Sequence, residues 1–378
     1  MASYFVVGFP DGSFTVSWLG IAEDIQGMTT AHTGWILVGY SVTYTLAGVA
    51  LSWFNRFLRL QTIYLWGLVV MGLGFVALAF STNFGLVITS IAVYGFGTGA
   101  MASSMNSYMA KHFTARHNNW MHFFWGAGAA VSPMIMGHMM MVDSWRAGYF
   151  VISGILGLVA VMLCFSIYKK VWTEDGQLTQ AAGSQVRDSK KYLTKKWHQH
   201  IQILTFFFLG GTDYTLVFFT GAALIARGRG EYEVAIFSAV YYIFMTLGRM
   251  VAGGVAKWLR EAGIIRLSVL MAVGGIGALY FTGSVVGMAI TGFGLGPLLP
   301  TLVSDTSNAF LPKLLPKVVG YELAAFGAGI AVLFFITSQI LHFVSYEALF
   351  PLGLMFVLLV FVCNEILEHA YNKANKPG

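Results

Sequence analysis

Two aspartates stand in stretches of the chain that are otherwise oily. Asp11, in Gly8-Phe9-Pro10-Asp11-Gly12, has roughly ten mostly apolar residues on either side. At about 1.5 Å per helical residue it sits near the middle of a ~30 Å hydrocarbon slab. Asp213 occupies the matching depth of the seventh hydrophobic segment. A carboxylate so placed is costly and faces a bundle interior or a watery cavity, so its default reading is functional. Tyr4, Gly8, Thr15 and Trp18 fall at helical spacing around Asp11 and give it a polar and aromatic face. Burial disfavours a lone charge, so a proton taken up at Asp11 would couple solute movement to a gradient. A sodium ion held by the same carboxylate and backbone oxygens is the chemical alternative. The competing reading makes Asp11 a helix-packing acceptor beside a Pro10 kink. Asp213 has only Phe206, Gly210, Leu216 and Thr220 on its face, and a buried acid satisfied by Thr or Tyr hydroxyls competes with a coupling role. Glu322 is the third candidate for cation coupling. It lies about five residues in from Lys317, hence roughly 7 Å deep, where it would snorkel or pair at a gate.

These acids must be positioned by membrane helices. The 378 residues are 57% hydrophobic and 10% charged, with a mean hydropathy of +0.71. A soluble domain carries about 25% charged residues, so the chain reads as an all-α, polytopic membrane protein. Its 44 glycines suit helices that approach closely. Both cysteines, Cys164 and Cys363, fall in hydrophobic segments and read as small apolar residues, with no disulfide or metal site. The first apolar run lacks a basic leader and contains Asp11, which argues against a cleavable signal peptide.

Hydropathy predicts twelve segments, at about 4–22, 34–54, 62–81, 84–108, 120–141, 146–168, 201–226, 234–256, 264–283, 285–304, 318–342 and 348–367. With the amino end inside, 18 of the 22 Lys and Arg fall in cytoplasmic loops and tails. That bias puts both termini in the cytoplasm and explains the net charge of +6 without nucleic acid. A basic linker, 169–200, divides an amino-terminal bundle (1–168) from a carboxyl-terminal one (201–378). It reads as a solvated strap, with binding of anionic lipid headgroups as the lesser alternative.

The halves repeat each other. Gly95-Phe96-Gly97-Thr98-Gly99 recurs as Gly292-Phe293-Gly294-Leu295-Gly296, an offset of 197, and Trp125-Gly126-Ala127-Gly128 as Phe326-Gly327-Ala328-Gly329, an offset of 201. Asp11 maps to Asp213 (offset 202) and Trp145 to Tyr346 (offset 201). Four matches in order at nearly one offset predict two pseudo-symmetric six-helix bundles with a site near the midplane, a transporter architecture.

Several stretches carry a family resemblance: Gly8-Phe9-Pro10-Asp11-Gly12, Met105-Asn106-Ser107-Tyr108-Met109-Ala110, His112-Phe113-Thr114-Ala115-Arg116, and Asn119 through Gly128. To these are added Trp145-Arg146-Ala147-Gly148-Tyr149, Leu247-Gly248-Arg249 and Gly294-Leu295-Gly296-Pro297-Leu298-Leu299-Pro300. Over nearly its whole length the chain resembles major facilitator superfamily transporters, and within them the fucose-permease-like sugar and cation symporters. Asn55-Arg56 stands where the superfamily signature prefers Asp-Arg, and the fourth helix lacks the carboxylate of the fucose permease. The resemblance implies a cavity formed by helices one, four, seven and ten. It also implies a polar cluster of Asn106, His122 and Arg249 near the inner mouth, with Arg249 holding a helix end or loop carbonyls.

Arg249 is the one cation in the inner half of any segment, which disfavours phosphates and dicarboxylates as cargo. The expected solute-binding residues are Trp18, Tyr40, Tyr44, Asn106, His122, Trp125 and Tyr214. Aromatic faces for C–H surfaces, with amide, imidazole and hydroxyl groups for hydroxyls, fit a neutral monosaccharide or polyol. The reading is therefore a monomeric secondary transporter in a bacterial inner membrane, driven by a proton or sodium ion through Asp11, with no cofactor. Its main rival is a proton-coupled exporter of hydrophobic or amphipathic compounds, suggested by Gly128-Ala129-Ala130-Val131-Ser132-Pro133. A lipid-modifying enzyme using His122 with Asn106 is a remote alternative, since no nucleotide loop, HExxH or paired CxxC is present.

Overall fold

The structure, a computed structural model, describes residues 2–112, 115–169, 171, 193, 195–311 and 315–375. Lys170, Arg187, Lys190 and Lys191 of the expected linker lie outside them. The described residues are helical apart from short connections and one isolated bridge between Leu193 and Phe310. A 3-10 helix, Ala2–Gly8, leads into α1 (Phe9–Asp24), followed by α2 (Thr30–Phe54), α3 (Leu60–Ala79), α4 (Phe84–His112), α5 (Ala115–Val142) and α6 (Trp145–Tyr168). Next come α7 (Lys196–Ala226), α8 (Glu231–Val255), α9 (Glu261–Thr282), α10 (Val285–Leu295), α11 (Leu298–Ala309), α12 (Leu315–Phe343) and α13 (Leu349–Ala374). Among the described residues, eleven helical runs are long and apolar enough to cross a membrane, with the 3-10 helix and α1 forming one and α10 and α11 another. The twelfth segment, α5, has the length at 28 residues but is diluted by His122, Trp125, Ser132 and His138. The fold is that of a twelve-helix integral membrane protein.

Two compact units divide the chain: Met1–Val186 with Gly230–Ala235, and Arg187–Arg229 with Ile236–Gly378. In the first, α1 packs on α5, α2 and α3 on α4, and α3 on α6. Helix α6 shows how sequence pattern sorts its faces. Tyr149, Ile152, Leu156 and Leu163 are buried, whereas Leu158, Val161, Met162 and Phe165 are exposed at helical spacing, as a lipid-facing stripe requires. In the second unit α7 packs on α12 and α13, and α9 on α10 and α13.

The sequence repeat is a repeat of contacts. A side chain at Gly99 would run into the Tyr44 carbonyl on α2, and one at Gly95 into the Thr43 hydroxyl and the Tyr40 ring and carbonyl; one at Gly292 or Gly296 would meet the Tyr241 or Met245 carbonyl on α8. Gly128 lies against the Phe5 carbonyl and Gly329 against that of Phe207, the glycines 201 residues apart and their partners 202. Glycine is needed at these positions because only a missing Cβ lets two backbones come so close.

The ends of the bundles also repeat, with charges exchanged. In the first unit Arg146, at the start of α6, pairs with Asp24 at the end of α1, and Trp145 Nε1 donates to Asp24 at 2.8 Å. In the second, Arg227 just after α7 donates from Nε and Nη2 to the two Glu347 oxygens at 2.8 and 2.6 Å. Cation and anion trade places between units while the cross-link between first and last helix is kept. The Glu347 carboxylate also holds the Arg227 guanidinium above its usual proton affinity, chiefly by hydrogen bonding.

Candidate functional site

Helix α1 begins irregularly where Asp11 sits. The 3-10 turn of Ala2–Gly8 changes to α-helix at Phe9, with Pro10 in the first turn. A first-turn proline costs no intrahelical bond, since that N–H would lack a partner. The expected Pro10 kink is thus a junction between two helix types two residues before the carboxylate. Gly8 lets this junction press on the Trp125 backbone of α5. The same approach brings the Trp125 indole to Asp11, and Nε1 donates to Oδ2 at 3.1 Å.

Around this bond the first unit gathers an aromatic and polar shell. The Asp11 charge acts on the hydroxyls of Tyr4, Tyr40, Tyr44 and Tyr94. Tyr4 joins the shell together: its hydroxyl lies beside Asn106, and its ring meets His122 edge-on at a centroid distance of 6.1 Å. Tyr40 stacks at a tilt between Tyr44 and Tyr94, with centroids 5.9 and 5.6 Å away. Asn106 is exposed, His122 and Trp125 are half-buried, and Asp11 itself is half-buried. Five of the seven residues expected to bind solute (Tyr40, Tyr44, Asn106, His122 and Trp125) therefore share one neighbourhood with Asp11. Trp18, further along α1, is 3% exposed, as deeply enclosed as Tyr4. Tyr4 and Tyr94 were not among the expected site residues. The spacing signal for Tyr4 was present, since it lies seven residues before Asp11 on the same helical face.

The second unit answers differently at the equivalent position. Asp213 accepts a hydrogen bond from Tyr241, which stands to Tyr40 as Asp213 stands to Asp11. The indole donor is absent, because Phe326 occupies the Trp125 position. A cation takes its place: Arg249 interacts electrostatically with Asp213, Tyr241 and Tyr214. Arg249 Nε also donates to the Gly296 carbonyl at 3.0 Å, where Gly296 and Pro297 separate α10 from α11. Pro300, four residues on, has no N–H, so the Gly296 carbonyl lacks its helical donor and the side-chain donor takes that place. Asp213 thus accepts from a tyrosine hydroxyl where Asp11 accepts from an indole N–H.

Glu322 departs from the expected snorkelling residue. It is fully buried (0% exposed) and accepts from the Thr306 hydroxyl at 2.6 Å, while Gln202 Nε2 donates to Thr306 at 2.7 Å. Its Oε2 has no hydrogen-bond partner among the described residues. Depth along the sequence said nothing of these sideways partners on α7 and α11, which draw the side chain inward. Thr306 and Gln202 also line a cavity of about 290 Å³ with Arg260, Glu261, Asp305 and Glu368. Among the described residues no group of three or more His, Cys, Asp or Glu is arranged to hold a metal ion.

Comparison with known proteins agrees with this architecture. The family model described as Major Facilitator Superfamily matches residues 1–321. The uncharacterized transporter YebQ of Escherichia coli (strain K12) is 26% identical over 148 residues, covering 38% of this chain and 32% of that protein. The chain thus matches about a third of the length of this curated relative. Among solved structures, the crystal structure of a D-xylose-proton symporter is similar at a TM-score of 0.73 and 11% identity, with 95% of each chain covered. At that identity the likeness is one of fold alone. The family model's match over residues 1–321 is what shows the family: the chain belongs to the Major Facilitator Superfamily and is a membrane transporter.

Proposed function

We propose that this transporter moves a small neutral polar solute, a monosaccharide or polyol, by alternating access, with a proton or sodium ion bound at Asp11 as the driving ion. The observation that carries the reading is Asp11 itself. It is a half-buried acid in a spanning helix, met by the Trp125 indole at 3.1 Å. The surrounding Tyr4, Tyr40, Tyr44, Asn106 and His122 are neutral donors and acceptors on aromatic faces, the chemistry that a polyhydroxy solute needs. Such a carboxyl changes charge when it takes up a cation and so changes what the surrounding shell can hold, which is the basis of coupling. Asp213, which accepts from Tyr241 on α8, serves in this reading as a positioning acid for that helix. The D-xylose-proton symporter that shares the fold supports sugar transport and proton coupling as the specific form. The loop charges support an orientation with both termini in the cytoplasm; the reading is of a monomer in an inner membrane.

The test begins with a thermal-shift panel of monosaccharides and polyols, at two pH values, with and without sodium. Uptake of the stabilising solute is then followed in proteoliposomes. Asp11→Asn should abolish gradient-driven uptake while exchange of labelled for unlabelled solute survives. Equal driven uptake by variant and parent would overturn the assignment.

A further inference from the structure

A second, separate feature lies at one end of the carboxyl-terminal unit. A groove of about 740 Å³ runs between the start of α7 and the last turns of α13. Its wall along α13 is apolar, with Phe361, Val362, Ile366 and Ala370, and Trp197 closes it from the α7 side. Val362, Ile366 and Trp197 are exposed. Its upper rim is basic, with Lys195 and Lys373 both exposed, and neither forms an ion pair among the described residues. The one carboxylate in the lining, Glu365, is already engaged by Arg266 through two bonds of 2.8 Å. Its charge is therefore offset, and the rim keeps a net positive sign.

The floor holds a polar group without a partner. His198 is 6% exposed, lines the groove, and its Nδ1 has no hydrogen-bond partner among the described residues. A buried polar atom left unpaired is costly, and a ligand hydroxyl or phosphate oxygen would satisfy it. The site is also held in place from behind. Leu193 is buried against Ala309, Phe310, Val318 and Leu367, and its N–H donates to the Ala309 carbonyl at 2.8 Å. This anchor fixes the chain two residues before Lys195, so the rim is preformed.

We propose that this groove holds one anionic phospholipid, its headgroup between Lys195, Lys373 and His198 and an acyl chain along Phe361, Val362 and Ile366. The apolar wall decides the class of occupant. A free phosphate would use the lysines but leave the wall in contact with nothing it favours. A zwitterionic lipid would use the wall but bring no net charge to the rim. An anionic lipid matches both, in the manner expected where basic clusters meet the end of a membrane helix.

The experiment uses the full chain in nanodiscs of phosphatidylcholine with phosphatidylglycerol, with retained lipids counted by native mass spectrometry after release. Parent protein should retain phosphatidylglycerol in preference to phosphatidylcholine. The double variant Lys195→Gln, Lys373→Gln should lower that preference roughly 25-fold, at about fivefold per cation. Lys257→Gln, a lysine absent from the groove lining, should leave it unchanged. Ile366→Glu, which puts a carboxylate on the acyl wall, should reduce retention of both lipids. Equal retention of the two lipids by the parent would overturn the proposal. So would an equal loss in Lys257→Gln, or displacement of the retained lipid by inorganic phosphate alone.

Discussion

The bond between Trp125 and Asp11 gives the sharpest prediction. Trp125→Phe keeps the aromatic bulk beside Gly8 and removes only the indole N–H that donates to Asp11 Oδ2 at 3.1 Å. A hydrogen bond to a charged group contributes about 1.5–3 kcal/mol. The carboxylate left behind has Tyr hydroxyls nearby, so the lower half of that range applies, about 1.5–2 kcal/mol. At tenfold per 1.36 kcal/mol this is a loss of roughly 10- to 30-fold in any step that depends on the bond being made. Gradient-driven uptake in proteoliposomes should fall by that factor, while solute exchange without a gradient changes less than about threefold. The substitution should have little further effect in an Asp11→Asn background, since the partner it acts through is already altered. Independent sites add to within about 0.5 kcal/mol, and this pair should not. Undiminished driven uptake in Trp125→Phe would refute the reasoning. So would losses from the two substitutions that simply multiply.

Two further outcomes follow from the packing. Gly128→Ala should lower the apparent Tm in detergent, because the new methyl meets the Phe5 carbonyl, a backbone group that cannot turn aside; overpacking of this kind costs about 1–3 kcal/mol. Gly154→Ala, with nothing within 4 Å of the added carbon, should instead gain up to about 1 kcal/mol from helix propensity, and the opposite signs are read in one melting experiment. At the end of the second unit, Glu347→Gln weakens the two-pronged contact with Arg227. The side chains are 46% and 25% exposed, so the loss should be about 1 kcal/mol or less at low salt and vanish in ~1 M salt. A loss that persists in high salt would show that the contact acts through packing and not charge.

Much of the fold was legible in the sequence, because lipid imposes a simple rule. A spanning segment must satisfy its own backbone and present apolar side chains outward, so twelve hydrophobic runs could be read directly as helices. The repeat was legible for an equally local reason. Gly95, Gly99, Gly292 and Gly296 are held at fixed spacing by contacts with α2 and α8 carbonyls, and those contacts tolerate no side chain. The break in the tenth segment went unread as a break, although Gly296-Pro297 announces one, because hydropathy averages over it. Asp11 and its five neutral companions were nameable from residue type and depth. What the sequence alone could not decide was the company each acid keeps. Asp11 and Asp213 look alike at matching depths, yet one meets an indole and the other a tyrosine and an arginine, because Trp125 and Phe326 differ where the repeat places them together. Glu322 likewise seemed able to reach water, and tertiary packing turned it onto Thr306. Depth in a membrane is a property of one helix and can be counted along the chain. Partners lie on other helices, a hundred or more residues away, and only the packed bundle brings them within hydrogen-bonding distance.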